Sequence, residues 1–277
     1  MVDNLDPSPR PAEADLELRV LRAVTRLLPP LPRATGVANR IVKPLYLRKP
    51  RTEVAANVGS LRLRLDPAEA IDGAYLFYPH LAERREMQHL RASLGPGDVF
   101  VDVGAHIGYY SLVAASVVGL TGTVIAIEPQ SRSYARLAWN ADANGFGQLH
   151  AVQAGVGARR ERRWLGLNTG GNLGGSSFRR ETGDGEVCEV RPLLDILSER
   201  RLRCVTGMKL DIEGDERTVL EPFLRDAPEA LWPRWVLVEH DNERVGTPDD
   251  AVALLVDHGY RIRAQYTGNA TNVILGR

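Results

Sequence analysis

Cysteine is nearly absent: the 277 residues contain only Cys188 and Cys204, with neither CxxC spacing nor the pattern of a disulfide framework. Both are expected to be reduced thiols in a reducing compartment. Long apolar runs are missing too. No stretch approaches the roughly 20 uninterrupted apolar residues that a membrane span needs. Acids and arginines break up the one apolar region near the N-terminus, which excludes a secretory signal, so a cytoplasmic location is expected. An excess of charge is also lacking. Thirty-five basic and 35 acidic side chains give a net charge of zero, so no global field draws in nucleic acid or an anionic membrane. Lysine is scarce: Lys43, Lys49 and Lys209 are the only ones, which marks a lysine kept in a core strand as a candidate functional group. What remains is ordinary for a soluble globular protein, with 44% hydrophobic and 25% charged residues. The length suits one large domain carrying an N-terminal extension, or two small domains.

Residues 1–11 are polar and proline-containing and are expected to be disordered. From Pro11 to Leu28 the apolar positions Leu16, Val20, Leu21, Val24, Leu27 and Leu28 recur at helical spacing, and Pro29, Pro30 and Pro32 end the pattern. Such a helix would cap the domain, pair with a second copy of the chain or lie on a membrane, and capping or pairing is the expected reading. Short strands are expected over 53–65, where Leu61, Leu63 and Leu65 alternate with Arg62 and Arg64. A second helix is expected over about 79–94, leading through Gly95-Pro96-Gly97 into the core. The extension is taken as residues 1–74 and the main domain as 75–277.

From residue 98 the pattern turns regular. Expected strands at Val99–Val103, Thr123–Ile127, Leu149–Val156, Gly207–Ile212 and Trp235–Val238 alternate with helices near 107–118, 131–144, 214–225 and 248–258. The chain closes with Tyr260–Tyr266, a turn at Thr267-Gly268-Asn269-Ala270, and Asn272–Leu275. Strands alternating with helices imply an α/β fold with a mostly parallel sheet covered on both faces. The topology resembles the Rossmann-like, seven-stranded sheet of class I methyltransferases, whose C-terminal hairpin adds an antiparallel strand. An insertion at about 157–205 carries many glycines between Gly166 and Ser177. It reads either as a lid over a substrate or as a plain hairpin connection.

The strongest local signal is Val101-Asp102-Val103-Gly104-Ala105-His106-Ile107-Gly108 at a strand-to-helix turn. Gly104 lets a ligand approach the backbone, and free amides at the helix start can receive a carboxylate. Asp102 can accept from an ammonium group. Glu128, at the end of the second strand, is spaced to take both ribose hydroxyls. A dinucleotide turn would read GxGxxG, with two glycines approaching a pyrophosphate. Here Gly104 and Gly108 form GxxxG, which suits S-adenosylmethionine, a cofactor with an amino-acid end and no pyrophosphate.

The sequence resembles the FkbM family of methyltransferases over roughly residues 75–275. The matching pieces begin with Pro96-Gly97-Asp98-Val99-Phe100-Val101-Asp102-Val103-Gly104-Ala105-His106-Ile107-Gly108-Tyr109-Tyr110-Ser111-Leu112, then Ile127-Glu128-Pro129 and Trp139-Asn140 with Asn144. They continue with Ala154-Gly155-Val156-Gly157, Leu193-Leu194-Asp195, Lys209-Leu210-Asp211-Ile212-Glu213-Gly214-Asp215-Glu216 and Val238-Glu239. The resemblance implies S-adenosylmethionine as cofactor, with Pro129, Gly155 and Val156 joining Asp102, Gly104, His106, Gly108 and Glu128 around it. It also implies O-methylation of a sugar or other natural-product hydroxyl. His106 departs from the asparagine common in the family and adds a titratable group near the cofactor.

Lys209, Asp211 and Glu213 alternate along a strand, so their side chains share one face. Ligands of open α/β sheets bind beyond the carboxyl ends of the strands, where Asp211, Glu213, Glu239, His240 and Asp241 lie. Ionisable groups on a central strand are costly to bury unless they pair or work, and a structural Lys209–Asp211 ion pair is the plain alternative. For methyl transfer to a weakly nucleophilic hydroxyl a nearby base should help. Asp211 is the first choice, Glu213 the next, with His240 and His106 behind them. Lys209 would hold a substrate oxygen or orient Asp211. Asp211, Glu213 and Glu239 also offer oxygen ligands to a divalent metal, although no dedicated ligand spacing marks such a site and none is predicted. An NAD-dependent oxidoreductase or epimerase would need GxGxxG and a pair such as Tyr-x-x-x-Lys. A nucleic-acid methyltransferase would more usually show an Asn/Asp-Pro-Pro-Tyr/Phe motif. None of these occurs. N-methylation, and a fold retained for binding alone, are the remaining alternatives.

Overall fold

A computed structural model describes residues 12–13, 16–27, 53–80, 82–168, 175–179, 182–240, 247, 250–267 and 271–277. The expectations for residues 1–11, the stop at Pro29–Pro32, the turn at 268–270, Asp241 and most of the glycine-rich run lie outside them. The chain divides into two compact units, residues 1–84 and 85–277.

In the first unit β1 (Ala12–Glu13) runs parallel to β2 (Val54–Val58), which forms an antiparallel hairpin with β3 (Leu61–Leu65). Leu61, Leu63 and Leu65 are buried as their alternation predicts, but Arg64 is buried as well and pairs with Glu53. Helix α1 (Leu16–Thr25) does not bury its apolar stripe: Leu16, Val20, Val24 and Leu27 are all more than half exposed. Its inner side is polar. Thr25 Oγ1 donates to the carbonyl of Phe77, at the end of α2 (Ala70–Phe77), and Arg22 Nη2 donates to that of Asn57 at 2.6 Å. The boundary expected at residue 74 falls inside α2.

The second unit starts from α3 (Arg84–Ser93), shorter than expected because Glu83 takes a left-handed φ of 45°. Five parallel strands follow in the main sheet: β4 (Val99–Val103), β5 (Thr123–Ile127), β6 (Leu149–Val152), β10 (Gly207–Leu210) and β11 (Trp235–His240). Helices α4 (Tyr109–Val118), α5 (Ser131–Ala143), α7 (Glu216–Asp226) and α8 (Ala251–Asp257) connect or flank them. Strands β12 (Arg261–Thr267) and β13 (Thr271–Gly276) close the chain, with β13 antiparallel to both β11 and β12. The sheet order is β12-β13-β11-β10-β4-β5-β6. This is the class I methyltransferase order, with the chain reversing direction across the sheet between β4 and β10.

Two apolar faces explain why the sheet forms here. Val101, Val103, Ile125, Met208, Leu210, Val236 and Val238 are essentially inaccessible and pack under α7 and α8. Each such side chain contributes about 1.5–3 kcal/mol of burial. The expected third strand, Leu149–Val156, is in fact two. After β6 the chain leaves the main sheet, and β7 (Gly155–Val156) pairs with β9 (Gly185–Arg191) in a separate sheet of order β7-β9-β8. Strand β8 (Glu161–Gly166), β9 and α6 (Leu193–Glu199) give the insertion regular structure. Helix α7 begins two residues later than predicted because Glu213 and Gly214 have φ of 56° and 108°, outside the helical region. No helix among the described residues is long and apolar enough to cross a membrane.

Candidate active site

The carboxyl ends of β4, β10 and β11 bring the predicted residues together. Lys209 stands beside Asp102 in the parallel register of β10 and β4. Asp211 follows one residue past the Leu210–Val238 pair, which sets it beside Glu239. Lys209 Nζ lies 3.0 Å from Asp211 Oδ2, 3.9 Å from Asp102 Oδ1 and 3.4 Å from the carbonyl of Gly104. Its ammonium also sits 5.1 Å from the Tyr110 ring centre. The plain ion pair is therefore real, and Lys209 is committed to holding Asp211 and the glycine turn.

Asp102 is wholly buried, accepts from Ser111 Oγ at 2.6 Å through Oδ2, and has no hydrogen bond at Oδ1. Burial raises its pKa against the opposing pull of Lys209 and Ser111. Asp211, with 37% of its side chain still open, is held ionised: burial works against the charge, and Lys209 together with hydrogen bonds from Glu239 and Lys209 outweighs it. Glu239 shows the opposite. Burial first, then the neighbouring Asp211 charge, pushes it up to about 9, so it carries the proton of the pair at neutral pH. Glu213, in the following turn, completes a trio whose carboxylate oxygens lie within 4.8 Å of one another. An all-oxygen trio suits a hard divalent cation, while the Lys209 ammonium and the Glu239 proton offset two of its three carboxylate charges. His240 ends β11 beside Glu239, and successive strand residues face opposite sides, which turns it away from the trio.

The turn after β4 needs its glycines. Gly104 has φ 77°, and a Cβ there would lie 1.9 Å from the carbonyl oxygen of Asp211. The close approach that the sequence predicts is thus made first by the acidic strand's own backbone. Gly108 (φ 84°) precedes α4, where a Cβ would meet Leu137 at 2.2 Å. The amides of Gly104, Ala105, His106 and Gly108 all donate within the protein, to Ile127, Ile127, Glu128 and Ala105. These four turn amides are therefore already engaged, ahead of the helix start at Tyr109. Glu128 accepts the amides of His106 at 2.7 Å and Gln130 at 2.8 Å, one on each oxygen, which leaves a further lone pair on each. Burial pushes it up to about 7. His106 takes a left-handed φ of 51°. Burial, then the Arg136 charge, lowers its pKa to about 3, and its buried Nε2 has no partner.

The open capacity here fits the two ends of S-adenosylmethionine. Asp102 Oδ1 is a buried acceptor suited to an ammonium group, His106 Nε2 is a neutral polar atom, and Glu128 keeps lone pairs for a diol. Pro129 sits between Glu128 and the amide of Gln130. Gly155 and Val156 pair with β9 in the second sheet, and the space a Gly155 Cβ would need is filled by the Phe178 ring at 2.5 Å. Sequence reasoning missed Ser111, Tyr110 and Glu216, although all three stand in the motifs that carry the family resemblance. Glu216 Oε1 accepts the amides of Ile212 and Gly214 at 3.1 and 3.0 Å, which explains the final glutamate of Lys-x-Asp-x-Glu-Gly-x-Glu. It missed Arg136, Arg179 and Glu186 for want of any local signal.

Comparison with known proteins shows the family. The model of the methyltransferase FkbM domain matches residues 102–262. The 31-O-demethyl-FK506 methyltransferase FkbM of Streptomyces tacrolimicus is 30% identical, over 70% of this chain and 84% of its own. Among solved structures, methyltransferase FkbM from Methylobacillus flagellatus is 18% identical with a TM-score of 0.46, covering 75% of this chain and 53% of that one. A precorrin-6y C5,15-methyltransferase from Geobacter metallireducens has a TM-score of 0.44 at 15% identity, covering 71% of this chain and 87% of that one. The sheet order already establishes the fold, and the sequence match establishes the family: this chain belongs to the FkbM methyltransferases and is an S-adenosylmethionine-dependent enzyme.

Proposed function

We propose that the enzyme methylates a hydroxyl of a sugar or other natural-product small molecule, with Asp211 as the base. One observation carries this reading: at the sheet's carboxyl edge Asp211, its side chain partly open, stands beside the carboxyl group of Glu239 and is fixed by Lys209 at 3.0 Å. This keeps Asp211 the ionised member and Glu239 the protonated one. When bound, S-adenosylmethionine supplies a methyl group on a sulfonium, and in-line displacement leaves a neutral thioether. The chain's own work is then to orient the acceptor and take its proton. Asp211 accepts the hydroxyl proton as the new C–O bond forms. Glu239 already holds a proton and donates to Asp211, which keeps the carboxylate's remaining lone pairs turned to the acceptor. Lys209 fixes Asp211 from the other side at 3.0 Å. Asp102, Glu128 and His106 are assigned to the cofactor.

The activity named for the Streptomyces relative, methylation of an oxygen on a demethylated FK506, supports a hydroxyl acceptor. The balanced charge of the whole chain gives no support to a nucleic-acid partner. Transfer of labelled methyl from S-adenosylmethionine to a panel of polyols, macrolide alcohols and primary amines tests the assignment. Label in the alcohols, lost by at least about 100-fold in Asp211→Asn, is the expected outcome. Label only in amines would replace hydroxyl by nitrogen acceptors and remove the need for Asp211 as base.

A further inference from the structure

The inserted hairpin does more than connect β7 to α6. Between β8 and β9 the segment 175–179 returns to β8, where Ser177 and Gly166 exchange both backbone hydrogen bonds at 3.0 and 3.1 Å. From that anchor its side chains reach the acidic turn after β10. Arg179 Nη2 donates to the carbonyl of Gly214 at 2.7 Å, and Arg179 Nε donates to Asp215 Oδ1 at 3.1 Å. Ser177 Oγ lies 3.5 Å from the carbonyl of Glu213. Arg163, from β8, stacks its guanidinium 4.9 Å from the Phe178 ring centre and stands 3.9 Å from Asp215 Oδ2. Phe178 in turn rests on Gly155, the only residue type that leaves room for it there.

The same end of the hairpin, where Glu186 pairs with Leu165 beside the Gly166 anchor, is also fastened to the other ligand loop. Glu186 in β9 receives the backbone amide of Ser131 at 2.7 Å and its hydroxyl at 2.5 Å. Ser131 opens α5, immediately after the Glu128-Pro129-Gln130 corner. One insertion therefore grips both the corner assigned to the cofactor and the turn that carries Glu213.

That turn needs a restraint. Glu213 and Gly214 are successive residues with left-handed φ, which is unfavourable for a glutamate. Glu216 secures the amide side of the turn, and Arg179 secures its carbonyl side. A planar guanidinium spans a carbonyl and a carboxylate at once; an ammonium is a single point donor group and does not reproduce that fork.

We propose that the β8–β9 insertion is a brace for the acceptor-side turn and that Arg179 is its positioning residue, fixing the backbone of Glu213–Asp215 so that Glu213 stays beside Asp211 and Glu239. The role in methyl transfer rests on the reading of Asp211 and Glu239 given above, whereas the brace itself is tested without any ligand.

Hydrogen exchange followed by mass spectrometry on the full chain compares the natural protein with Arg179→Ala, Arg179→Lys and the surface control Arg159→Ala, whose partner is Glu161. Amides of residues 212–216 should exchange about tenfold faster in Arg179→Ala. The lysine variant should recover little of that protection, and the control should match the natural protein. Strands β4 and β10 should stay unchanged in all four. A second readout separates positioning from mere stabilisation. Glu239 is faced by Asp211, Glu213 and Lys209, and loss of the nearby Glu213 charge lowers its pKa. The alkaline midpoint in the pH profile of methyl transfer to an alcohol acceptor, where Glu239 supports Asp211, should therefore fall in Arg179→Ala and not in Arg159→Ala. Unchanged exchange at 212–216, or faster exchange spread evenly through the sheet, overturns the brace. An unmoved pH midpoint overturns the positioning role. Failure of the natural protein to bind S-adenosylmethionine would instead overturn the cofactor assignment and leave the exchange result standing.

Discussion

Glu128 and Glu239 carry charge states that burial, more than any partner, decides. For Glu128, pushed up to about 7, the ionised form is the one that would accept from ribose hydroxyls in the proposed cofactor site. Cofactor affinity should fall by up to about tenfold per unit as pH drops below that value, and Glu128→Gln should flatten the dependence. Calorimetric titration from pH 5.5 to 8.5 measures both. For Glu239 the sign concerns stability. A carboxyl raised from 4.5 to about 9 keeps in the folded state a proton that the unfolded chain releases. Its contribution is therefore fully present below about pH 4.5 and is lost as pH rises toward 9. Glu239→Gln, whose amide can still donate to Asp211, should be at least as stable as the natural protein at pH 8–9 in urea unfolding. A clear loss of stability there would mean that Glu239 is ionised and paired with Lys209.

At the scale of elements, the glycine turn after β4 and the acidic turn after β10 form one packed unit. Gly104→Ala adds a Cβ at 1.9 Å from a backbone oxygen at φ 77°. It should cost about 2–4 kcal/mol and abolish cofactor binding. Gly59→Ala, also at positive φ but with nothing within 4 Å, should cost only about 1 kcal/mol. Equal costs in denaturant unfolding would show that conformation alone, and not the contact with Asp211, requires Gly104. The alternating strands, the glycine turn and Lys-x-Asp-x-Glu were legible because each follows a local period or spacing. The split of Leu149–Val156 was not, since Gly155 and Val156 are as apolar as a continuing strand would be and only pairing with β9 diverts them. Nor was the polar inner side of α1, because helical spacing locates an apolar stripe without saying what covers it. Arg179 and Glu186 act 36 and 55 residues away from their partners, a separation no local pattern encodes.

Across the whole molecule, the two units share one chain and divide the labour. The predicted ligand groups, Asp102, Glu128, Asp211 and Glu239 among them, all lie in residues 85–277. Cofactor at about 100 times its dissociation constant should stabilise that unit by about 2.7 kcal/mol and raise its melting transition by roughly 5–10 °C. A transition assignable to residues 1–84 should not respond. Scanning calorimetry with and without S-adenosylhomocysteine measures this, and an equal rise of both transitions would show that the units unfold as one.

In the proposed function, the turn after β4 takes S-adenosylmethionine through Asp102 and Glu128. Isothermal titration of the full chain with S-adenosylmethionine and with NAD, repeated on Glu128→Ala, tests that assignment most directly. Saturable binding of the sulfonium cofactor alone, weakened at least about tenfold in the variant, is the expected result. Tight NAD binding, or an undiminished sulfonium affinity in Glu128→Ala, would contradict the assignment of the turn and its acidic partner.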